Sequence, residues 1–145
     1  MNRQIKFRGY NLKNKKWIYG YYLVNRGEHF IAPDGIQPPD MTWEDFLVDP
    51  ESVGQYVGNY FNKEVYEGDI VQITYAYGFF GENISKEIGI ISFNPDEALY
   101  YSKSLSGDSF IRLNFAKKLQ EFSCYDFAYK VIGNEYEKKL KISNP

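Results

Sequence analysis

The sequence predicts a mainly β fold, either a small β-barrel or a sandwich-like fold, with at most one or two short helices. Stretches rich in β-branched and aromatic residues recur along the chain, and turn residues separate them at the spacing typical of small barrels and sandwiches. In addition, 19% of the 145 residues are aromatic, which supplies bulky side chains for a core. An SH3-like barrel is one architecture that fits this pattern.

The first elements form an N-terminal β-hairpin. Apolar and basic residues alternate in Ile5–Arg8, the period of a half-buried strand. Turn residues at 11–16 lead into Trp17–Val24, which is β-branched and aromatic. The two stretches are therefore expected to pair.

Shorter elements are predicted between residues 28 and 57. His29–Ala32 is expected to be a short strand, and Val53–Val57 another. The segment 33–42 contains Pro33, Gly35, Pro38 and Pro39, so regular structure is not expected there. Residues 42–47 fit one helical turn with Thr42 as its N-cap.

The second half of the chain is richer in strand patterns. A turn at Glu67–Asp69 precedes the longest of them, and Ser102–Ser109 is expected to be a loop. Leu113–Phe122 has helical spacing, and Tyr136–Ile142 is a mixed-charge tail. Strands are predicted at Glu64–Tyr66, Ile70–Tyr77, Glu87–Phe93 and Asp126–Gly133.

We predict a single domain over residues 1–145. That length suits one domain, and no Ser/Gly-rich or Pro-rich linker interrupts the sequence. The loop at 33–42 offers an alternative division into two lobes. These would be an N-terminal hairpin region at 1–48 and a β-barrel region at 49–145.

Opposite charges are separated along the chain. Seven basic and no acidic residues precede Glu28, whereas Glu28 to Asp69 holds ten acidic residues against Lys63 alone. Nine of each follow, so the net charge of −2 conceals two oppositely charged blocks. Such blocks are expected to face each other, another subunit or a charged ligand. The sequence does not distinguish among these three partners.

No catalytic, metal or cofactor site is predicted. His29 and Cys124 are the only residues of their types, and one of each does not make a zinc site without several carboxylates. The lone cysteine agrees with a reducing compartment. No apolar run approaches the ~20 residues of a membrane span. The protein is therefore expected to be a cytoplasmic non-enzyme without a membrane partner.

Bases and aromatic residues alternate near the N-terminus, where they suggest an interaction surface. Aromatic rings on a positive surface bind single-stranded nucleic acid, but a hairpin also needs an aromatic face to pack. Tyr19 and Tyr21 share one face of the predicted strand and Tyr22 lies on the other, so some of these rings are core. The candidate interaction residues are Arg3, Lys6, Arg8, Tyr10, Lys13, Lys15, Lys16 and Trp17.

Five segments together resemble the YopX family of phage and prophage proteins: Ile5–Arg8, Trp17–Gly20, Asp49–Gly58, Val65–Val71 and Val131–Glu137. Two departures are Val57, where the family commonly has Thr, and the lack of a proline after Glu137. The resemblance implies a small, mainly β, phage-associated protein of the bacterial host cytoplasm. The family has no assigned biochemical activity, so no catalytic residue is carried over.

The residues that carry the family motif have a structural interpretation. Gly68 permits a tight or positive-φ turn, and Asp69 can accept hydrogen bonds from the amides of that turn. We therefore expect these residues to form a structural corner, and a role in binding is only the second interpretation. The motif residues are Gln55, Tyr56, Gly58, Tyr66, Glu67, Gly68 and Asp69.

The function expected first is that of a non-enzymatic binding or assembly module. Its basic hairpin would dock on an acidic surface, such as residues 34–51 of a neighbouring copy, giving a homo-oligomer, or on a phage or host protein partner. The alternative is a single-stranded nucleic-acid-binding protein that uses the same hairpin. A third interpretation, an enzyme using the acidic segment, needs a bound ion or a deep pocket lined by carboxylates.

Overall fold

A computed structural model of the chain describes residues 4–36, 42–60, 63–77, 79–105, 110–112 and 127–143. The chain divides into two compact units, Met1–Tyr56 and Val57–Pro145. The single domain over 1–145, and the alternative lobes 1–48 and 49–145, remain predictions from the sequence.

The first unit contains an antiparallel sheet built on the N-terminal hairpin. Its strands are β1 (Phe7–Asn11), β2 (Lys16–Asn25), β3 (Glu28–Ala32) and the start of β4 (Gly54–Tyr60). They follow the order β3-β2-β1-β4, and Phe7 lies opposite Gly20 in the β1–β2 pair. The predicted hairpin is confirmed, since the turn residues at 12–15 join two strands with complementary alternation.

One face of this sheet forms the core of the first unit. Ile18 of β2 and Ile31 of β3 are buried together with Val48. Phe7 and Tyr22 pack against this cluster. Residues of one strand point alternately to the two faces, so Ile18, Gly20 and Tyr22 of β2 lie on the side of the core, and Tyr19 and Tyr21 point away from it.

The segment after residue 42 covers the outer edge of β3. The amide of Ile31 donates to the carbonyl oxygen of Phe46 at 3.0 Å, and the amide of Val48 donates to that of His29 at 2.9 Å. This pairing satisfies edge groups that would otherwise be open to another chain. The predicted helical turn is a 3-10 turn at Trp43–Asp45, and a second 3-10 turn lies at Pro50–Ser52.

The second unit contains another antiparallel sheet. Its elements are β5 (Lys63–Tyr66), β6 (Asp69–Tyr77), β7 (Asn83–Asn94), β8 (Leu99–Ser104), β9 (Phe110–Arg112), β10 (Phe127–Asn134) and α1 (Glu135–Ser143). The strands of the sheet follow the order β10-β6-β7-β8-β9, and a register shift interrupts the β10–β6 pair between Val131 and Gly133. The end of β4 continues into this unit, where β5 lies beside it.

The core of the second unit is aliphatic. Val65, Val71, Ile73 and Ile91 are buried at 1% exposure or less. The partly buried side chains that pack against them are those of Val57, Tyr100 and Val131. Burial of this cluster is the main favourable term for the unit.

The predicted mainly β fold is confirmed. The described strands form two open antiparallel sheets, and neither closes into a barrel within the described ranges. The predicted helix at Leu113–Phe122 lies outside the described residues. One local prediction was wrong, since β8 extends to Ser104 into the expected loop, and the mixed-charge tail forms α1.

Candidate functional site

The sheet of the first unit carries aromatic side chains on the face that points away from its core. On β2, Tyr22 packs against the core cluster, in agreement with the prediction that some of the tyrosines of this strand are core residues. Tyr19 and Tyr21 point to the other face and are 45% and 56% exposed. The alternation of β2 therefore separates packing rings from rings that contact solvent.

Basic side chains from the neighbouring strands share this second face. Arg8 lies opposite Tyr19 and Tyr10 lies opposite Trp17, and directly opposed residues of an antiparallel pair project to the same side. The amide of Tyr56 donates to the carbonyl oxygen of Lys6 at 2.8 Å, which places β4 beside them. We call this surface the aromatic–basic face: Lys6, Arg8, Tyr10, Trp17, Tyr19, Tyr21 and Tyr56.

Cation–π contacts order the rings of the aromatic–basic face. The Lys6 Nζ atom lies 5.9 Å from the ring centroid of Tyr19 and 5.7 Å from that of Tyr56. The guanidinium carbon of Arg8 lies 4.8 Å from the ring centroid of Trp17. All three distances are within the range of favourable cation–π attraction. Because Arg8 is only 7% exposed, it holds the indole in place rather than presenting a charge to solvent.

The structure brings together four of the predicted interaction residues. Lys6, Arg8, Tyr10 and Trp17 belong to the aromatic–basic face. The remaining ones lie elsewhere: Lys13 and Lys15 are in the turn between β1 and β2, Lys16 begins β2, and Arg3 lies outside the described residues. Tyr19, Tyr21 and Tyr56 were not among the predicted interaction residues, although the alternation of β2 was the signal for the first two.

Lys13 contacts the acidic segment of its own chain. Its Nζ atom lies 3.3 Å from Glu44 Oε2 and 3.4 Å from Asp45 Oδ1. The hydrogen bond with Glu44 and the charge of Asp45 raise the pKa of Lys13. These exposed contacts contribute little stability. The two charge blocks therefore meet within one chain here, which reduces the charge available for docking on residues 34–51 of a neighbouring copy.

The residues Tyr66 to Asp69 form a buried corner in the second unit. Asp69 Oδ2 accepts a hydrogen bond from the Tyr66 amide at 2.9 Å, and both residues are 2% exposed. The Tyr66 hydroxyl donates to Glu64 Oε2 at 2.8 Å. Gly68 has φ of 84°, a conformation that favours glycine. These contacts give Tyr66, Gly68 and Asp69 a structural role.

The same corner supports the start of α1. The amide of Glu135 donates to the carbonyl oxygen of Gly68 at 2.9 Å, and Asn134 lies opposite Asp69 in the β10–β6 pair. Glu67, between these groups, is half-buried. Two of the sequence segments singled out above, Val65–Val71 and Val131–Glu137, are thus neighbours in the fold.

The other motif residues lie along β4. Gln55 is opposite Phe7 of β1, and Tyr56 contacts Lys6. Gly58 continues the strand in the second unit. Of the seven motif residues, Tyr56 alone belongs to the aromatic–basic face.

A second pair of exposed rings lies between β6 and β7. Phe79 and Phe80 are 92% and 87% exposed, and their ring centroids are 5.0 Å apart. The Glu82 carboxylate accepts a hydrogen bond from the Phe80 amide at 2.8 Å. Backbone amides of Glu82 itself and of Phe80 lower the pKa of the Glu82 carboxyl. Neither ring was among the predicted interaction residues.

His29 is a packing residue rather than part of a polar cluster. Its Nδ1 atom lies 2.5 Å from the Tyr22 hydroxyl oxygen, and the two rings are stacked with centroids 5.8 Å apart. Within the described ranges no three His, Cys, Asp or Glu side chains come together as metal ligands. Cys124 lies outside these ranges. No helix in the described part of the chain is long and apolar enough to cross a membrane.

Comparisons of the chain with protein-family models, with curated proteins and with solved structures find no match.

Proposed function

We propose that the chain is a non-enzymatic binding module that binds its partner through the aromatic–basic face. The observation that carries the proposal is the division of β2, which packs Tyr22 in the core and holds Tyr19 and Tyr21 in solvent. Exposed phenol rings therefore lie beside an ordered cation, Lys6, on this side of the sheet. They supply the residue types that dominate binding energies at interfaces.

Two further exposed apolar side chains, those of Leu23 and Trp43, lie on the same side of the sheet as the aromatic–basic face or next to it. Leu23, the next outward residue of β2, is 45% exposed and lies opposite Phe30 of β3. Trp43 is 57% exposed, and its ring meets that of Phe30 at 5.6 Å between centroids. Contiguous apolar surface of this kind marks binding sites more often than single exposed residues do.

The proposal includes a phage or prophage origin of the YopX type and a place in the bacterial host cytoplasm. The resemblance that suggests this origin is carried by segments that pair within each unit. Arg8 lies opposite Gly54 in the first unit, and Asn134 lies opposite Asp69 in the second. The segments thus pair with one another in the sheets of this chain, whereas the aromatic–basic face supports binding. A second copy of the chain, a phage protein and a host protein are the protein partners that this proposal includes.

Partner binding by matched variants tests the proposal. The tagged parent chain, the Tyr19→Ser/Tyr21→Ser variant and the Phe79→Ser/Phe80→Ser variant would be compared in phage-bearing cells and by sedimentation at low and high salt. We expect the parent and the phenylalanine variant to retain the same partner, and the tyrosine variant to lose it. Equal retention by all three chains would contradict the proposed binding face.

A further inference from the structure

We infer that the aromatic–basic face binds a single-stranded nucleic acid, with bases stacked on its tyrosine rings. This inference rests on the proposed function and names the ligand class of the same face. Two features of the first unit support it, the spacing of the rings and the distribution of charge on the hairpin, and the acidic segment restricts the kind of nucleic acid.

The rings follow β2 at a regular interval. Trp17, Tyr19 and Tyr21 occupy alternate positions on one side of the strand. At ~3.3 Å per residue, neighbouring rings are about 6.6 Å apart along the strand. An extended single strand separates its bases by a similar step, and each base offers a π-face to a ring. A row of aromatic side chains on a sheet is a known way of stacking successive unpaired bases.

The hairpin supplies positive charge without acidic neighbours in sequence. Residues 4–27 contain six basic residues and no acidic residue. Lys15 immediately precedes β2, Lys16 begins it and Arg26 follows its end, and all three are exposed. Lys6, between the rings of Tyr19 and Tyr56, adds a cation beside the row. Exposed cations that attract phosphates therefore lie near both ends of the strand that carries the rings.

The acidic segment restricts which nucleic acid fits. Glu44 and Asp45 already engage Lys13 at the hairpin turn, and the whole chain has a net charge of −2. A rigid duplex needs a broad basic footprint, which an acidic chain opposes. It also keeps its base faces stacked internally. A flexible single strand instead follows the narrow row of rings and cations along β2.

Fluorescence anisotropy with a labelled oligothymidylate tests the inference on the full chain. We expect binding at low salt that weakens as salt rises, with a log–log slope of about −0.7 per neutralised phosphate. The Tyr19→Leu/Tyr21→Leu variant should bind about tenfold more weakly or worse, whereas Tyr19→Phe/Tyr21→Phe should bind like the parent because stacking needs only the ring. Lys15→Gln/Lys16→Gln should make the slope shallower.

Matched controls separate this inference from the proposed function. Phe79→Leu/Phe80→Leu removes two exposed rings outside the face and should leave oligothymidylate binding unchanged. Absence of binding at low salt, equal binding by the leucine variants of both ring pairs, or equal affinity for a duplex would overturn the inference. If the tyrosine variant still loses a protein partner, the proposed function stands without a nucleic-acid ligand. If it loses neither ligand, both are wrong.

Discussion

The side-chain amide nitrogen of Asn11 lies 2.8 Å from the carbonyl oxygen of Leu47, a residue 36 positions further along the chain. The same nitrogen is 3.1 Å from the carbonyl oxygen of Asp45. Asn11 Oδ1 accepts a hydrogen bond from the Asn14 amide at 2.6 Å, and the side chain is fully buried. One asparagine therefore joins the hairpin turn to the acidic segment and brings Lys13 close to its carboxylate partners.

Substitution of this asparagine should destabilise the first unit. Asn11→Ala removes a fully buried side chain that donates to the carbonyl oxygens of Asp45 and Leu47, and we expect a loss of about 1–3 kcal/mol in the free energy of unfolding. Urea unfolding followed by tryptophan fluorescence reports on this unit, because Trp17 and Trp43 are the only tryptophans of the chain. Leu12→Ala, at a site 57% exposed, is the control and should change stability by less than about 0.5 kcal/mol. Equal stability of the two variants would refute this role for Asn11.

Close packing between Gly9 and Val48 gives a second prediction. A Cβ atom at Gly9 would come within 2.8 Å of Val48 Cγ2, and Val48 is 4% exposed. Gly9→Ala should therefore cost about 1–3 kcal/mol through overpacking. Val48→Ala in the same chain should recover part of that loss, as a double-mutant cycle by urea unfolding would show. Gly133→Ala, where no atom lies within 4 Å, serves as the control. Additive losses in the cycle would contradict the proposed contact.

The start of α1 depends on a side-chain cap. Asn134 Oδ1 accepts a hydrogen bond from the Glu137 amide at 2.8 Å, the arrangement of a helix N-cap. Asn134→Ala should lower stability by about 1 kcal/mol and speed hydrogen exchange at the Glu137 amide, whereas Asn134→Asp should keep the cap. Hydrogen exchange measured by NMR checks both variants. Unchanged protection in Asn134→Ala would mean that the cap does not hold the helix.

Asp45 provides a prediction about pH. A hydrogen bond from the Thr42 side chain is the largest cause that lowers the pKa of the Asp45 carboxyl below its ordinary value of 3.8. The stabilisation from this carboxylate is therefore present above pH 3.8 and is lost as the pH falls through the lower pKa of the folded state. In an NMR titration, Thr42→Val and Lys13→Gln should each raise the pKa of Asp45 toward its ordinary value. An unchanged pKa in Thr42→Val would show that the Thr42 hydroxyl does not stabilise the carboxylate.

The sequence predicted the elements whose pattern is local. The alternation in Ile5–Arg8 and Trp17–Val24 was sufficient for the hairpin, because one buried face imposes that period. In α1 only Tyr136 is buried, so hydrophobic periodicity was absent. Its signals were polar: the Asn134 cap and the pair of Glu135 with Lys139, whose charged atoms are 3.7 Å apart. The end of β8 was missed because strand pairing, with Ser102 opposite Ile91, overrides the weak preference of serine for strands.

The candidate site was predicted only in part. Lys6, Arg8, Tyr10 and Trp17 lie on one face because their spacing follows the strand period. Lys13 could not be assigned from the sequence, since its partners Glu44 and Asp45 are 31 and 32 residues away and reach it through tertiary contacts. The contact of Arg8 with Trp17, by contrast, forms within the predicted hairpin.

The most direct test of the aromatic–basic face is a titration of the chain with oligothymidylate followed by the ring signals of its aromatic residues in NMR spectra. Stacked bases should shift the ring signals of Tyr19 and Tyr21, while those of Tyr22, in the core, and of Phe79 and Phe80, in the second unit, stay in place. Shifts confined to Phe79 and Phe80, or no shift at any ring, would contradict binding at this face.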